Sequence, residues 1–349
     1  DDTQDFCLVN NPKVSDLKTN EANVVWYNSL TSVTPLDPTT ALANGAYYAT
    51  LKDAITGCES SGRLLVTATI IDPGTPTLVT AGTQTFCLVN APTFASVQFN
   101  QSSIVWYDAI TGGNLIASTT ALTSGVYFAA IKDATSGCES NTRLQVTIDV
   151  KNPATPTLVN AGTQNFCLVN AVTFASVQLN EVNIVWYTAS TGGTLIPSTT
   201  LLTSGIYFAA IKEPVSGCES SIRLQVTINV TDPGTPTLVT AGTQNFCLVS
   251  APTFASIKTN EVNIVWYDAI TGGNLIASTT ALTSGVYFAA IKDPTSRCES
   301  KTRLQVTINV TDPGTPTLVT AGTQTFCLVN APTFASVQFN QSSIVWYDA

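Results

Sequence analysis

The chain has 349 residues with no His and no Met, and charged side chains make up only 11% of it. The absence of His excludes His-dependent catalytic triads and histidine metal sites. A formal net charge of −9 argues against nucleic acid and anionic membrane surfaces as partners. Hydrophobic residues reach 44%, enough for genuine cores, yet no apolar run approaches membrane-spanning length.

The length would suggest two or three ordinary domains, but a period overrides that expectation. Trp26, Trp106, Trp186, Trp266 and Trp346 step by 80 residues, and the phrase AGTQTFCLVN at 81–90 returns at 321–330. The cysteines form two series with the same step, Cys7, Cys87, Cys167, Cys247, Cys327 and Cys58, Cys138, Cys218, Cys298, separated alternately by 51 and 29 residues. The expected organisation is 1–73, 74–153, 154–233 and 234–313 as four repeats, with 314–349 the start of a fifth. Because 321–349 copies 81–109 letter for letter, the chain reads as part of a longer array. No signal peptide is visible behind Asp1, where one would have been removed. The first repeat carries much of the charge, with nine acids and four bases in residues 1–80.

Residues 81–160 serve for all. TFASVQFN reads as a strand, and SIVWYDA as a second, rich in β-branched and aromatic residues. ITGGN is a Gly-Gly turn suited to a hairpin, LIAST a short strand and SGVYFAAIKD another. ATSGCES turns the chain. TRLQVTIDV then alternates, with Leu144, Val146 and Ile148 on one face and Arg143, Gln145 and Thr147 on the other. Period-2 patterning without a helical stretch predicts an all-β fold, and short strands every 8–12 residues predict a tandem array of small antiparallel β-sandwiches forming an elongated rod.

The pattern is similar to an immunoglobulin-like sandwich. Trp26, Trp106, Trp186 and Trp266 fall where such folds bury a tryptophan, and Tyr47, Tyr127, Tyr207 and Tyr287 follow glycine where a tyrosine corner sits, so both series are expected in the cores. Tyr107 and its copies, on the opposite face of the Trp strand, are the candidates for exposed aromatics.

Two cysteines per small domain predict disulfides in an oxidising compartment; zinc would want close Cys pairs or histidines. Pairing within repeats, as 7–58, 87–138, 167–218 and 247–298, would pin each first strand to a sheet edge and leave Cys327 unpaired. Pairing across the linker, such as Cys58 with Cys87, asks the chain to run out along the last strand and return, so the intradomain bonds are preferred. DPGTPTLVTAGT at 72–83 reads as a short, stiff linker.

Other chemistry is sparse. The acids form no recurring dyad and no calcium loop; Asp72, Asp232 and Asp312 stand singly, with Asn152 at the same place. Lys132 and its copies are expected to point outward, away from isopeptide chemistry. Arg143 and its copies read as outward strand residues, paired with Glu139 at most. NQS at 100–102 and 340–342 and NVT at 229–231 and 309–311 match the glycan acceptor pattern as chance would produce it. No catalytic, metal or cofactor-binding residue is expected.

The motif IVWYDAITGGNLIASTTALTSGVYFAAIKDATSGCES…RLQVTI resembles the Ig-like repeats of large secreted surface proteins of Bacteroidetes, among them gliding-motility adhesins exported by type IX secretion. Arg297 replaces the glycine of SGC in the fourth repeat, a departure from that pattern. The resemblance implies a non-enzymatic stalk at the bacterial cell surface that carries a binding tip outward. Its partners would be surface polysaccharide or other copies of itself, with no nucleic acid and no membrane insertion. A stretch of an extracellular filament, or a spacer array in a polysaccharide-degrading enzyme, are the other readings it implies.

Overall fold

Strands form where the β-branched and aromatic runs fall. The computed structural model describes residues 3–348. In the first repeat these are β1 (Thr3–Cys7), β2 (Val24–Tyr27), β3 (Gly45–Leu51) and β4 (Leu64–Ile71). In the second they are β5 (Gln84–Cys87), β6 (Ile104–Tyr107), β7 (Leu115–Ile116), β8 (Gly125–Ile131) and β9 (Leu144–Lys151). The third and fourth repeats follow the second. Their strands are β10 (Gln164–Cys167), β11 (Ile184–Tyr187), β12 (Leu195–Ile196), β13 (Gly205–Ile211) and β14 (Leu224–Thr231), then β15 (Gln244–Cys247), β16 (Ile264–Tyr267), β17 (Leu275–Ile276), β18 (Gly285–Ile291) and β19 (Leu304–Thr311). The protein is thus an all-β chain of four tandem Ig-like sandwich domains. By internal contacts the residues group into two compact units. One runs through Ala161 and adds Gln178–Pro197 and Tyr207–Val226; the other joins Gly162–Val177, Ser198–Ile206 and the chain from Thr227 onward.

The sheet of the second repeat has the order β5-β9-β8-β6-β7. β6, β8 and β9 pair antiparallel, with Trp106 opposite Ala129 and Tyr127 opposite Val146. A large ring facing a methyl group lets the two strands interdigitate without overpacking. β5 pairs with β9 in parallel, which sets Gln84 beside Ile148 and Cys87 beside Lys151. Phe94, Val97, Trp106, Leu122, Ala129, Val146 and Ile148 form the core. Phe94 meets Trp106 and Tyr127 edge-on at 5.1 and 4.8 Å between ring centroids, the arrangement the ring quadrupoles favour. Trp26, Trp106, Trp186 and Trp266 are all buried. Tyr127 is packed against the core and its hydroxyl lies 2.7 Å from the Thr123 hydroxyl, closing a corner; Tyr47 closes the same corner by accepting from the Ala43 N–H.

Two expectations are corrected. TFASVQFN is not a strand. Phe94–Ser96 is a single 3-10 turn, opened by a Thr93 N–H that donates to Ser96 Oγ at 3.0 Å. A short hydroxyl able to bond the backbone three residues back competes with the ladder here. The second layer is accordingly made of turns and the bridges Leu78–Phe99 and Thr93–Ala121. Nor is 72–83 a free linker. Pro76 is fully buried, Leu78 packs against the core, and Thr77 N–H donates to Gln101 Oε1 at 2.8 Å. The segment from residue 73 belongs to the repeat that follows it.

The outer sheet face is also less open than expected. The Arg143 guanidinium lies 3.3 Å above the Tyr107 ring, and its Nη1 donates to the carbonyls of Ala109 and Gly112 at 2.7 Å. Tyr107 Oη donates to Glu139 Oε2 at 2.5 Å, and Lys132 reaches the other oxygen of Glu139 at 3.3 Å. Tyr27 and Tyr267 are buried by the same arrangement, so this series is not an exposed aromatic platform. Arg143 serves as a stacked clamp on the 108–112 turn rather than as the partner of Glu139. That turn requires glycine at Gly113, where φ is +73° and an added Cβ would meet Asp108 Oδ1 at 2.4 Å.

Candidate functional site: the joint between repeats

The disulfides do not close within repeats. They run from Cys7 to Cys138, from Cys87 to Cys218 and from Cys167 to Cys298, each across 131 residues, with Cα separations of 5.1, 5.1 and 5.2 Å. The expected pairs 7–58, 87–138, 167–218 and 247–298 are overturned. Cys58 and Cys247 join Cys327 as exposed free thiols.

The reason lies in the parallel pairing of the first strand. Cys87 lies beside Lys151, the last residue of β9, while Cys138 precedes the first residue of that strand. Eight residues of strand separate those levels by roughly 25 Å. A disulfide needs Cα atoms within about 7 Å. The two cysteines of one repeat therefore sit at opposite poles. The first lies at the pole where the chain leaves, the second in the hairpin at the pole where the chain enters. Only a neighbour can bring the two kinds together.

Each joint carries the same polar contacts. At the first, Asp72 Oδ1 accepts from Gly74 N–H at 3.0 Å and from Asn141 N–H at 3.1 Å. Ser140, buried in the hairpin, donates from Oγ to the Gly74 carbonyl at 2.6 Å and accepts from Ile131 N–H at 2.8 Å. The second joint repeats this with Ser221 N–H on Asn152 Oδ1 at 3.0 Å and Ser220 Oγ on the Ala154 carbonyl at 2.6 Å. The third uses Lys301 N–H on Asp232 Oδ1 at 3.1 Å and Ser300 Oγ on the Gly234 carbonyl at 2.5 Å. Because Asn152 does the work of Asp72 and Asp232, the position needs a side-chain oxygen and no charge. That is a turn-capping role rather than cation binding.

The hairpin that receives the staple is held by its own backbone. Asp133 N–H donates to the Cys138 carbonyl at 2.8 Å, Gly137 N–H to the Asp133 carbonyl at 2.9 Å, and Asp133 Oδ1 caps Ser136 N–H at 2.7 Å. Bonds from the Ser136 backbone and hydroxyl hold the Asp133 carboxyl below the usual range. In the outer-face cluster, burial first and the bond to Glu219 second push Tyr187 up to about 12; Tyr267, against Glu299, rises likewise to about 12. These groups are spent on structure. Among the described residues no three Cys, Asp or Glu side chains gather as a metal set, and no helix is long and apolar enough to cross a membrane.

The fold and joints define a class of protein, tandem Ig-like sandwiches stapled end to end. The particular family follows from a family model, "Ig-like domain CHU_C associated", which matches residues 73–151, 153–231 and 233–311. The chain belongs to that family. No curated protein matches it significantly. Among solved structures it is similar to Sidekick-1 immunoglobulin domains 1–5, at 12% identity over 83% of this chain and 74% of that one, with a TM-score of 0.19. It is also similar to the N-terminal four Ig domains of Dscam1 isoform 9.44, at 12% identity over 89% and 97%, with a TM-score of 0.17. Scores this low do not establish a common arrangement.

Proposed function

We propose that this chain is a stretch of an extracellular structural stalk on a bacterial cell, which holds an adhesive tip away from the surface during attachment or gliding. The single observation that carries the reading is the staple between neighbours at a constant separation of 131 residues. Tandem Ig-like modules with disulfides fit an extracellular or surface protein, where thiols are oxidised. No catalytic family is indicated.

Physically, each joint has two covalent tethers. Cys7 lies beside Ile71 at the end of the sheet, so the backbone leaving Ile71 and the disulfide leaving Cys7 cross to the next repeat side by side. One tether lets a domain swivel; two, with the Asp72 and Ser140 bonds between them, remove most of that freedom. A stalk under drag needs this, because a freely jointed string collapses toward a coil.

Deleting one period, residues 161–240, tests the reading. The cysteine spacing is preserved, so Cys87 meets the old Cys298 in the role of Cys218. The product should fold with its staples intact, and its maximum dimension in small-angle scattering should fall by roughly 30–45 Å, about one strand height plus a joint. An unchanged dimension, or loss of folding in the flanking repeats, would sink the stalk.

A further inference from the structure

The first repeat has a receiving pole like the other three. Asp53 N–H donates to the Cys58 carbonyl at 2.9 Å, Gly57 N–H to the Asp53 carbonyl at 2.9 Å, and Asp53 Oδ1 caps Thr56 N–H at 2.7 Å. The hairpin has the geometry of those that hold Cys138, Cys218 and Cys298. Yet Cys58 and Ser60 are exposed, where Cys138 and Ser140 are 2% and 3% exposed.

A second observation points to the same place. In the second repeat, Val79 N–H donates to the Gln98 carbonyl at 3.1 Å while Leu78 packs against the core. At the equivalent edge of the first repeat, the Gln4 side chain takes over. Its Nε2 donates to the Lys18 carbonyl at 2.7 Å and its Oε1 accepts from Lys18 N–H at 2.9 Å. Beside it runs an open groove lined by Phe6, Lys18, Thr19, Leu64 and Val66. These residues match Phe86, Gln98, Phe99, Leu144 and Val146, against which the segment around Leu78 lies in the second repeat.

At the far end, the fourth repeat presents the complementary pole. Cys247 ends β15 and is exposed, and Asp312 Oδ1 already accepts from Gly314 N–H at 2.9 Å, as Asp72 does from Gly74. Thr315-Pro316-Thr317-Leu318-Val319 follows, the same five residue types as 75–79.

We propose that the entry pole of the first repeat is a docking site for the exit pole of a second copy of this chain. Cys58 takes Cys247 of that copy, Ser60 Oγ its Gly314 carbonyl and Ser61 N–H its Asp312, while its 315–319 segment lies in the groove that Gln4 now edges. The covalent step is thiol–disulfide exchange with glutathione as oxidant. Cys58 first forms a mixed disulfide with one half of oxidised glutathione. The Cys247 thiolate attacks the Cys58 sulfur, the Sγ–Sγ bond forms, and glutathione leaves as its thiolate.

Two full-length variants test this. One carries Cys247→Ser and Cys327→Ser and keeps Cys58; the other carries Cys58→Ser. Mixed in a glutathione redox buffer, they should give a heterodimer whose non-reducing peptide map contains Cys58–Cys247. Adding Asp312→Ala to the second variant should slow its formation several-fold, because docking precedes exchange. Absence of a heterodimer overturns the proposal. So does a heterodimer linked mainly through Cys327, or one that forms at the same rate with Asp312→Ala, since either marks random collision of exposed thiols.

Discussion

The entry poles of the first and second repeats are built from one design and end in different states. Both hairpins carry the same turn bonds, and Cys58-Glu59-Ser60 matches Cys138-Glu139-Ser140 residue for residue. In the second repeat the serine hydroxyl reaches across to the Gly74 carbonyl; in the first it turns back to the Gly62 carbonyl at 3.0 Å. The cysteine and serine are therefore not core residues of the repeat that owns them. Their burial is a property of the joint, and a repeat can fold without it.

That contrast can be pressed with substitutions. The largest expected effect comes from Ser140→Ala. It strips a buried carbonyl of its partner and should destabilise the first joint by about 1–3 kcal/mol. Ser60→Ala should change stability by a few tenths at most, since exposed groups exchange partners with water. Differential denaturation of the two variants checks this, and equal losses would show that the serine serves the hairpin itself.

A smaller effect is expected at Arg297, which stands at φ +60° where the other hairpins have Gly57, Gly137 and Gly217 at +71°. A left-handed conformation costs a residue with a Cβ roughly 1–2 kcal/mol. Arg297→Gly should raise the stability of the fourth repeat by about 1 kcal/mol, part of the gain being offset by glycine's unfolded-state entropy. Thermal melts of the two chains would show it, and a drop would mean that Arg297 makes a compensating contact.

The smallest effect should not distinguish the repeats at all. Tyr187 and Tyr267 lose their protons at about 12, against about 10 for an unfolded tyrosine, and Tyr27 is raised too, first by its bond to Glu59. As pH rises the unfolded chain ionises first. The stabilisation is complete below pH 10 and is lost as pH climbs through 12. A spectrophotometric phenolate titration should show this lag, and Glu219→Gln should shorten it for Tyr187. An unchanged titration would mean the bond to Glu219 does not hold the proton.

Much of the fold was legible. The Trp strand, the Gly-x-Tyr strand and the alternating last strand came from period-2 patterning, and Val146 and Ile148 lie on the buried face that alternation assigns them. The staple was not. Its geometry depends on β5 running parallel to β9, and four residues, QTFC, carry no signal of strand direction. With the first strand taken simply as an edge to be pinned, Cys87 and Cys138 look like neighbours. The approximately 25 Å that argued against Cys58–Cys87 argues equally against Cys87–Cys138 once direction is known. Tyr107 was misjudged for a different reason. Alternation places it correctly on the outer face, but cannot foresee that an arginine 36 residues on would lie over its ring.

The 131-residue spans exceed the 80-residue period, so successive disulfide loops overlap. Every peptide bond between Cys7 and Cys298 lies inside at least one closed ring, and those from Cys87 to Cys138 or from Cys167 to Cys218 lie inside two. A protease that makes one cut anywhere in that stretch, in the exposed 108–114 turn for instance, opens a ring without releasing a fragment. Outside a cell, where a severed chain cannot be resynthesised in place, the molecule behaves like chain mail: one broken link leaves the fabric joined.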